Sequence, residues 1–103
     1  MPSRSLRRRL PSIHPGTILR SEFLEPLRIS QNALAREISV PPKRVNEIVH
    51  GKRAITADSA LRLARRFGTS PQFWMNLQTH FDLEIAQDVL RGRLEKEVQP
   101  HAA

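Results

Sequence analysis

With 103 residues and a net charge of +7, from 17 Lys and Arg against 10 Asp and Glu, the chain can bury one modest core, and a polyanion is its natural partner. It has no cysteine, which excludes a disulfide framework and thiolate metal sites. No apolar run nears the roughly 20 residues of a membrane helix, and the start lacks the apolar stretch of a signal peptide, so a cytoplasmic globular protein is expected.

Residues 1–11 form a basic arm without apolar periodicity, predicted to be disordered. Arg4, Arg7, Arg8 and Arg9 carry four of the seven excess charges, so the rest of the chain is only mildly basic. The arm reads as a solvated tail, or as a segment that touches phosphates or a partner. His14-Pro15-Gly16 opens the first helix, with Pro15 near its first position and His14 as a capping or packing residue. Ile18, Leu19, Phe23 and Leu27 give an apolar stripe, and Pro26 is expected to end the helix.

Ser30–Lys52 reads as two short helices joined by a tight turn. Ser30 stands at an N-cap position. Gln31–Ile38 has Leu34, Ala35 and Ile38 on one face, and Pro42–Val49 has Val45, Ile48 and Val49. Pro42 suits a first helical position, and Gly51 a left-handed helix end. Small Ala35 allows a close helix crossing, and Val40 fills the space under the turn. This is the layout of a DNA-binding helix-turn-helix. Ser39 departs from it, because the turn favours Gly there; a non-Gly residue at positive φ costs about 1–2 kcal/mol.

The outward face of the second helix carries Lys43, Arg44, Asn46, Glu47 and His50. In a major groove, Lys43 and Arg44 suit guanine O6/N7 or phosphate, and Asn46 suits adenine. Glu47 would accept from cytosine N4, or order Arg44 or Lys43. Gln31 and Asn32, at the start of the preceding helix, are expected on the DNA backbone, helped by the helix N-terminus. Lys52 and Arg53, just past the second helix, would add phosphate contacts. A helical hairpin with a merely solvated polar face is the plainer reading, but cap, small residue, turn, Pro, apolar anchors and Gly coincide too closely for it.

Thr56 caps a helix over Ala57–Phe67, with Asp58 in its first turn and Ala60, Leu61, Ala64 and Phe67 as the expected inner face. Arg62, Arg65 and Arg66 are expected outward. Gly68 closes this helix, and Ser70-Pro71 starts the next. Phe73, Trp74, Leu77 and Phe81 then recur at helical spacing to about Ile85. Basic residues are not interleaved with them, so they read as core and not as a base-stacking platform. Any left at the surface would serve a dimer or partner contact. In residues 89–103, Val89, Leu90, Leu94 and Val98 hint at a weak helical stripe, broken near Gly92, that is either a frayed tail or dimer-associated.

No catalytic arrangement stands out. His14, His50, His80 and His101 lack metal-ligand spacing, there is no Gly-rich phosphate loop, and no Ser sits in a nucleophile elbow. No metal or other cofactor is expected.

Three stretches carry a family resemblance: IHPGTILRSEFLEPL at 13–27, SQNALAREISVPPKRVNEIVHGKRAITADSALRLARRFGTSPQFWMNLQ at 30–78, and the HFDLEIA that follows. The chain resembles the lambda-repressor-like (Cro/C1-type, XRE) helix-turn-helix domains and, more closely, the HigA antitoxins, also described as VapI-like. HPG-x-IL-x-x-x-FL-x-P and GTSP-x-FW-x-NLQ go beyond a generic helix-turn-helix. The resemblance covers residues 12–88 and leaves out both ends. It implies an all-α, five-helix domain, a homodimer, and repression of its own operon through palindromic double-stranded operator DNA. It also implies neutralisation of a cognate HigB toxin, a RelE-like ribonuclease that cleaves messenger RNA; the chain itself would not be an enzyme. A stand-alone repressor without a toxin is the alternative, since both share every feature of residues 30–55. An RNA-binding module fits less well, because A-form RNA hides its major groove.

Overall fold

The computed structural model describes residues 12–102, so the expected basic arm over 1–11 lies outside the described residues. The described chain is all-helical. Helix α1 runs through three consecutive segments, Pro15–Ile18, a π-helical Leu19–Leu24, and Glu25–Leu27. Helices α2 (Gln31–Ile38) and α3 (Pro42–Val49) follow, then α4 (Ala57–Phe67), α5 (Pro71–Val89) and a single turn, α6 (Leu94–Glu97). Helix α1 packs on α3 and α5, α2 on α3 and α4, and α4 on α5.

The helix starts follow from their caps. Ser30 Oγ accepts from the Ala33 N–H at 3.0 Å, and Ser70 Oγ from the Phe73 N–H at 3.0 Å. Thr56 does the same for α4. His14 caps α1 through Nδ1, which accepts from the Gly16 N–H at 2.9 Å.

Three sequence expectations need correction. Helix α1 does not stop at Pro26 but reaches Leu27. The helix widens ahead of the proline instead, with the Glu25 N–H reaching back five residues to the Arg20 carbonyl. A proline ring crowds the carbonyl four residues earlier, and a wider turn relieves that crowding. The extra residue per turn also shifts the stripe: Leu19 and Leu24 are buried, Phe23 packs partly, and Leu27 turns to solvent. In α4, Leu61 is 59% exposed and Leu63 only 1%. The inner face follows Ser59, Ala60, Leu63 and Ala64, and Leu61 lies about 100° around the helix from Ala60.

The core gathers Leu34, Ala35 and Ile38 of α2, Val45, Ile48 and Val49 of α3, and Trp74 of α5. Of the aromatic stripe expected in the core, Trp74 is buried and Leu77 packs partly against it, whereas Phe73 is exposed and half-buried Phe81 lies outside the core cluster. Trp74 is fully buried, its indole N–H donating to Thr69 Oγ1 at 2.8 Å. Phe23 lies 4.8 Å from Phe67 and 5.1 Å from Trp74 between ring centroids, and Phe73 stays at the rim. Among the described residues no helix is long and apolar enough to cross a membrane.

Candidate nucleic-acid interface

Helices α2 and α3 are held at a fixed crossing by a Schellman turn. Ile38 is the last helical residue of α2, and Ser39 takes the left-handed conformation at φ 58°. The Val40 N–H bonds to the Ala35 carbonyl at 3.0 Å, and the Ser39 N–H to the Arg36 carbonyl at 3.3 Å. Ser therefore takes the backbone geometry that Gly would take, at the cost the sequence implies. Ala35 and Val40, joined by the turn, are both buried. Gly51 closes α3 the same way at φ 74°, with the Lys52 N–H on the Glu47 carbonyl at 2.8 Å.

Two contacts seat α3 from below. Gly16 lies so close to the end of α3 that a Cβ there would sit 1.7 Å from the Ile48 carbonyl oxygen. Beside it, the His14 ring meets Phe81 edge-on at 5.0 Å and lies under Gly51. Burial pushes the His14 imidazole below its ordinary pKa, against the charge of Asp82 and a hydrogen bond to the Arg53 backbone. The loop after α3 is fixed by Gln78. Its Oε1 accepts from the buried Ile55 N–H at 2.7 Å, while its Nε2 donates to Asp82 Oδ1 at 2.9 Å.

On the outer side, paired side chains span the motif. Asn46 Nδ2 donates to Gln31 Oε1 at 3.1 Å, linking α3 to the start of α2. Arg44 donates through a terminal nitrogen to Asp58 Oδ1 at 2.7 Å, linking α3 to the start of α4. Arg53 Nε donates to Glu47 Oε1 at 2.8 Å. Glu47 thus orders Arg53, and neither Arg44 nor Lys43 as its sequence position allowed. The Arg53 hydrogen bond holds the Glu47 carboxyl below its ordinary pKa, and Lys43 and Lys52 act in the same direction. Asp58 is lowered likewise by its hydrogen bonds from Arg62 and Arg44. Asn32, Lys43 and Lys52 are exposed, and the two lysines form no ion pair among the described residues.

The structure therefore brings Gln31 to Asn46 and Glu47 to Arg53, and leaves Asn32, Lys43 and Lys52 open to solvent. Sequence reasoning missed the roles of Gly16, Asp58 and Gln78. Asp58 and Arg62 stand four apart on one helix, a legible spacing, but no local signal links Asp58 to Arg44. Among the described residues no cluster of three His, Cys, Asp or Glu side chains is placed to hold a metal.

The helix-turn-helix family model matches residues 21–74. Virulence-associated protein I of Dichelobacter nodosus is 54% identical over 78 residues, 76% of this chain and 72% of that protein. Antitoxin HigA-1 of Vibrio cholerae is 39% identical over 80 residues, 78% of this chain and 73% of that one. The Pseudomonas aeruginosa antitoxin HigA, solved with the higBA promoter, superposes with a TM-score of 0.85 at 48% identity, covering 88% of this chain and 99% of that one. The chain belongs to the helix-turn-helix family and, within it, to the HigA-type antitoxins.

Proposed function

We propose that this chain is the antitoxin of a toxin–antitoxin pair that represses its own promoter by binding operator DNA and neutralises a HigB/RelE-like, messenger-RNA-cleaving toxin. The observation that carries the DNA reading is the seating of α3. Its apolar face is buried, while its outer face presents Lys43, Arg44, Asn46 and Glu47, with Lys52 and Arg53 just beyond. The relative of known structure with promoter DNA supports the same reading. Helix α3 enters the major groove, Arg44 and Lys43 meet guanine or phosphate, and Asn46 meets adenine. Gln31 and Asn32 dock the start of α2 on the backbone, and Lys52 and Arg53 flank it.

A homodimer presents two such helices about 34 Å apart, one turn of DNA. Val89, Leu94 and Val98, which are 65%, 45% and 57% exposed, are the apolar residues of the C-terminal segment that a second copy covers. The chain acts by binding, in the cytoplasm, and the ribonuclease is its partner.

Co-expression with the native flanking genes tests this. The expected result is a second small protein co-eluting at fixed stoichiometry, toxic when expressed alone, together with sequence-specific binding of the upstream DNA. A lone dimer that binds that DNA leaves a stand-alone repressor, and a chain that binds neither overturns the proposal. Lys52→Ala is expected to weaken operator and random duplex alike and to reduce the salt slope by about 1, measured by fluorescence anisotropy from low to high salt.

A further inference from the structure

Among the described side-chain hydrogen bonds, Arg44 is the residue of the reading helix that bonds to α4. Its partner Asp58 is itself held from behind. Arg62 Nε donates to the same Asp58 Oδ1 at 2.8 Å, and an Arg62 terminal nitrogen donates to the Ile38 carbonyl at 2.8 Å. That carbonyl belongs to the last residue of α2. A chain of contacts thus runs from the end of α2, through Arg62 and Asp58, to Arg44.

The geometry matters because an arginine reads guanine with two parallel N–H groups. The guanidinium carries five N–H donors in a fixed plane. Arg44 uses one terminal nitrogen on Asp58. Its Nε and its other terminal nitrogen, the edge that matches O6 and N7, remain uncommitted among the described hydrogen bonds. A long, flexible side chain held at one corner loses the freedom to settle on the nearest phosphate. The carboxylate also opposes phosphate approach by its own charge.

We propose that Asp58 is a positioning residue for DNA recognition: held by Arg62, it fixes Arg44 for base readout and thereby sets sequence discrimination. The inference rests on the operator-binding reading above. It assigns discrimination to a residue outside the helix-turn-helix that need not touch a base.

The test is a double-mutant cycle on the full-length protein, with affinities for the native upstream operator and for a scrambled duplex of equal composition. Asp58→Ala is expected to lower the ratio of the two affinities about tenfold, with scrambled-duplex binding held or increased. Arg44→Ala lowers the ratio comparably, and adding Asp58→Ala to it lowers the ratio no further. Arg62→Ala gives a smaller loss of the same kind. Thermal midpoints recorded alongside separate this from a helix-start role, which would lower stability and leave the ratio unchanged. If the parent discriminates but Asp58→Ala keeps its ratio within about twofold, or lowers it equally with and without Arg44, the inference is overturned. If the parent itself fails to discriminate, the operator-binding reading falls, and the inference with it.

Discussion

His14 and Gly16 form the joint beneath the reading helix, and each makes a different demand. Gly16 is required by space: a Cβ there would overlap the Ile48 carbonyl, which is backbone and cannot rotate aside. Gly16→Ala is expected to cost about 3 kcal/mol or more, read from denaturant unfolding. His14 is required by its lone pair, since Nδ1 accepts from the Gly16 N–H. Its folded pKa lies below the ordinary 6.5, so between the two values the unfolded chain binds more protons. The stability it contributes is complete above pH 6.5 and is lost as pH falls through the folded value. The thermal midpoint is therefore expected to drop on acidification from pH 7.5 to 5.5. His14→Asn, which keeps an N-cap acceptor that does not titrate, should flatten that slope. Asp58 and Glu47 are lowered carboxylates, so their contribution is complete above the ordinary carboxylate pKa and is lost as pH falls from there through their folded values.

The helix-turn-helix owes its crossing to a left-handed residue between α2 and α3, and here that residue is Ser39. A left-handed L-residue costs about 1–2 kcal/mol, while glycine adds about 0.5–1 kcal/mol of unfolded-state entropy. Ser39→Gly is accordingly expected to stabilise by about 0.5–1 kcal/mol without changing operator affinity; an unchanged unfolding midpoint would refute this account of the turn. The loop beyond α3 depends on a side chain 23 residues away, Gln78 on α5. Gln78→Leu strands the buried Ile55 N–H and is expected to cost about 1–3 kcal/mol in chemical denaturation. It should also weaken DNA binding, because Lys52 and Arg53 lose their fixed positions.

Among the described residues, exposed cations stand on and just beyond α3, and exposed apolar side chains recur along α5 and the C-terminal segment. The cations near α3 suit DNA, while Val89, Leu94 and Val98 leave apolar surface that one copy does not cover. Two copies must hold together to place two reading helices on one operator. Leu94→Asp with Val98→Asp is expected to shift the dimer toward monomer in sedimentation velocity and to weaken operator binding about tenfold or more, with the helical fold intact by circular dichroism. A dimer of unchanged strength would move the interface elsewhere.

By itself the sequence determined what local chemistry determines. Ser30, Thr56 and Ser70 mark helix starts because their hydroxyls cap the first turn, and Gly51 and Gly68 mark ends because they take positive φ cheaply. Apolar spacing located the buried faces of α2 and α3 for the same reason, since helical period alone sets which side chains share a face. It erred where a neighbour changed the phase: Pro26 opened a π turn and moved Leu27 outward, and the packing face of α4 took Leu63 in place of Leu61. Only the tertiary structure decided which polar groups meet across helices. Arg44 and Asp58 are 14 residues apart, and Gln78 and Ile55 are 23 apart. Such pairs leave no periodic trace in a single chain, because the distance between them is fixed by how whole helices pack and not by the residues between.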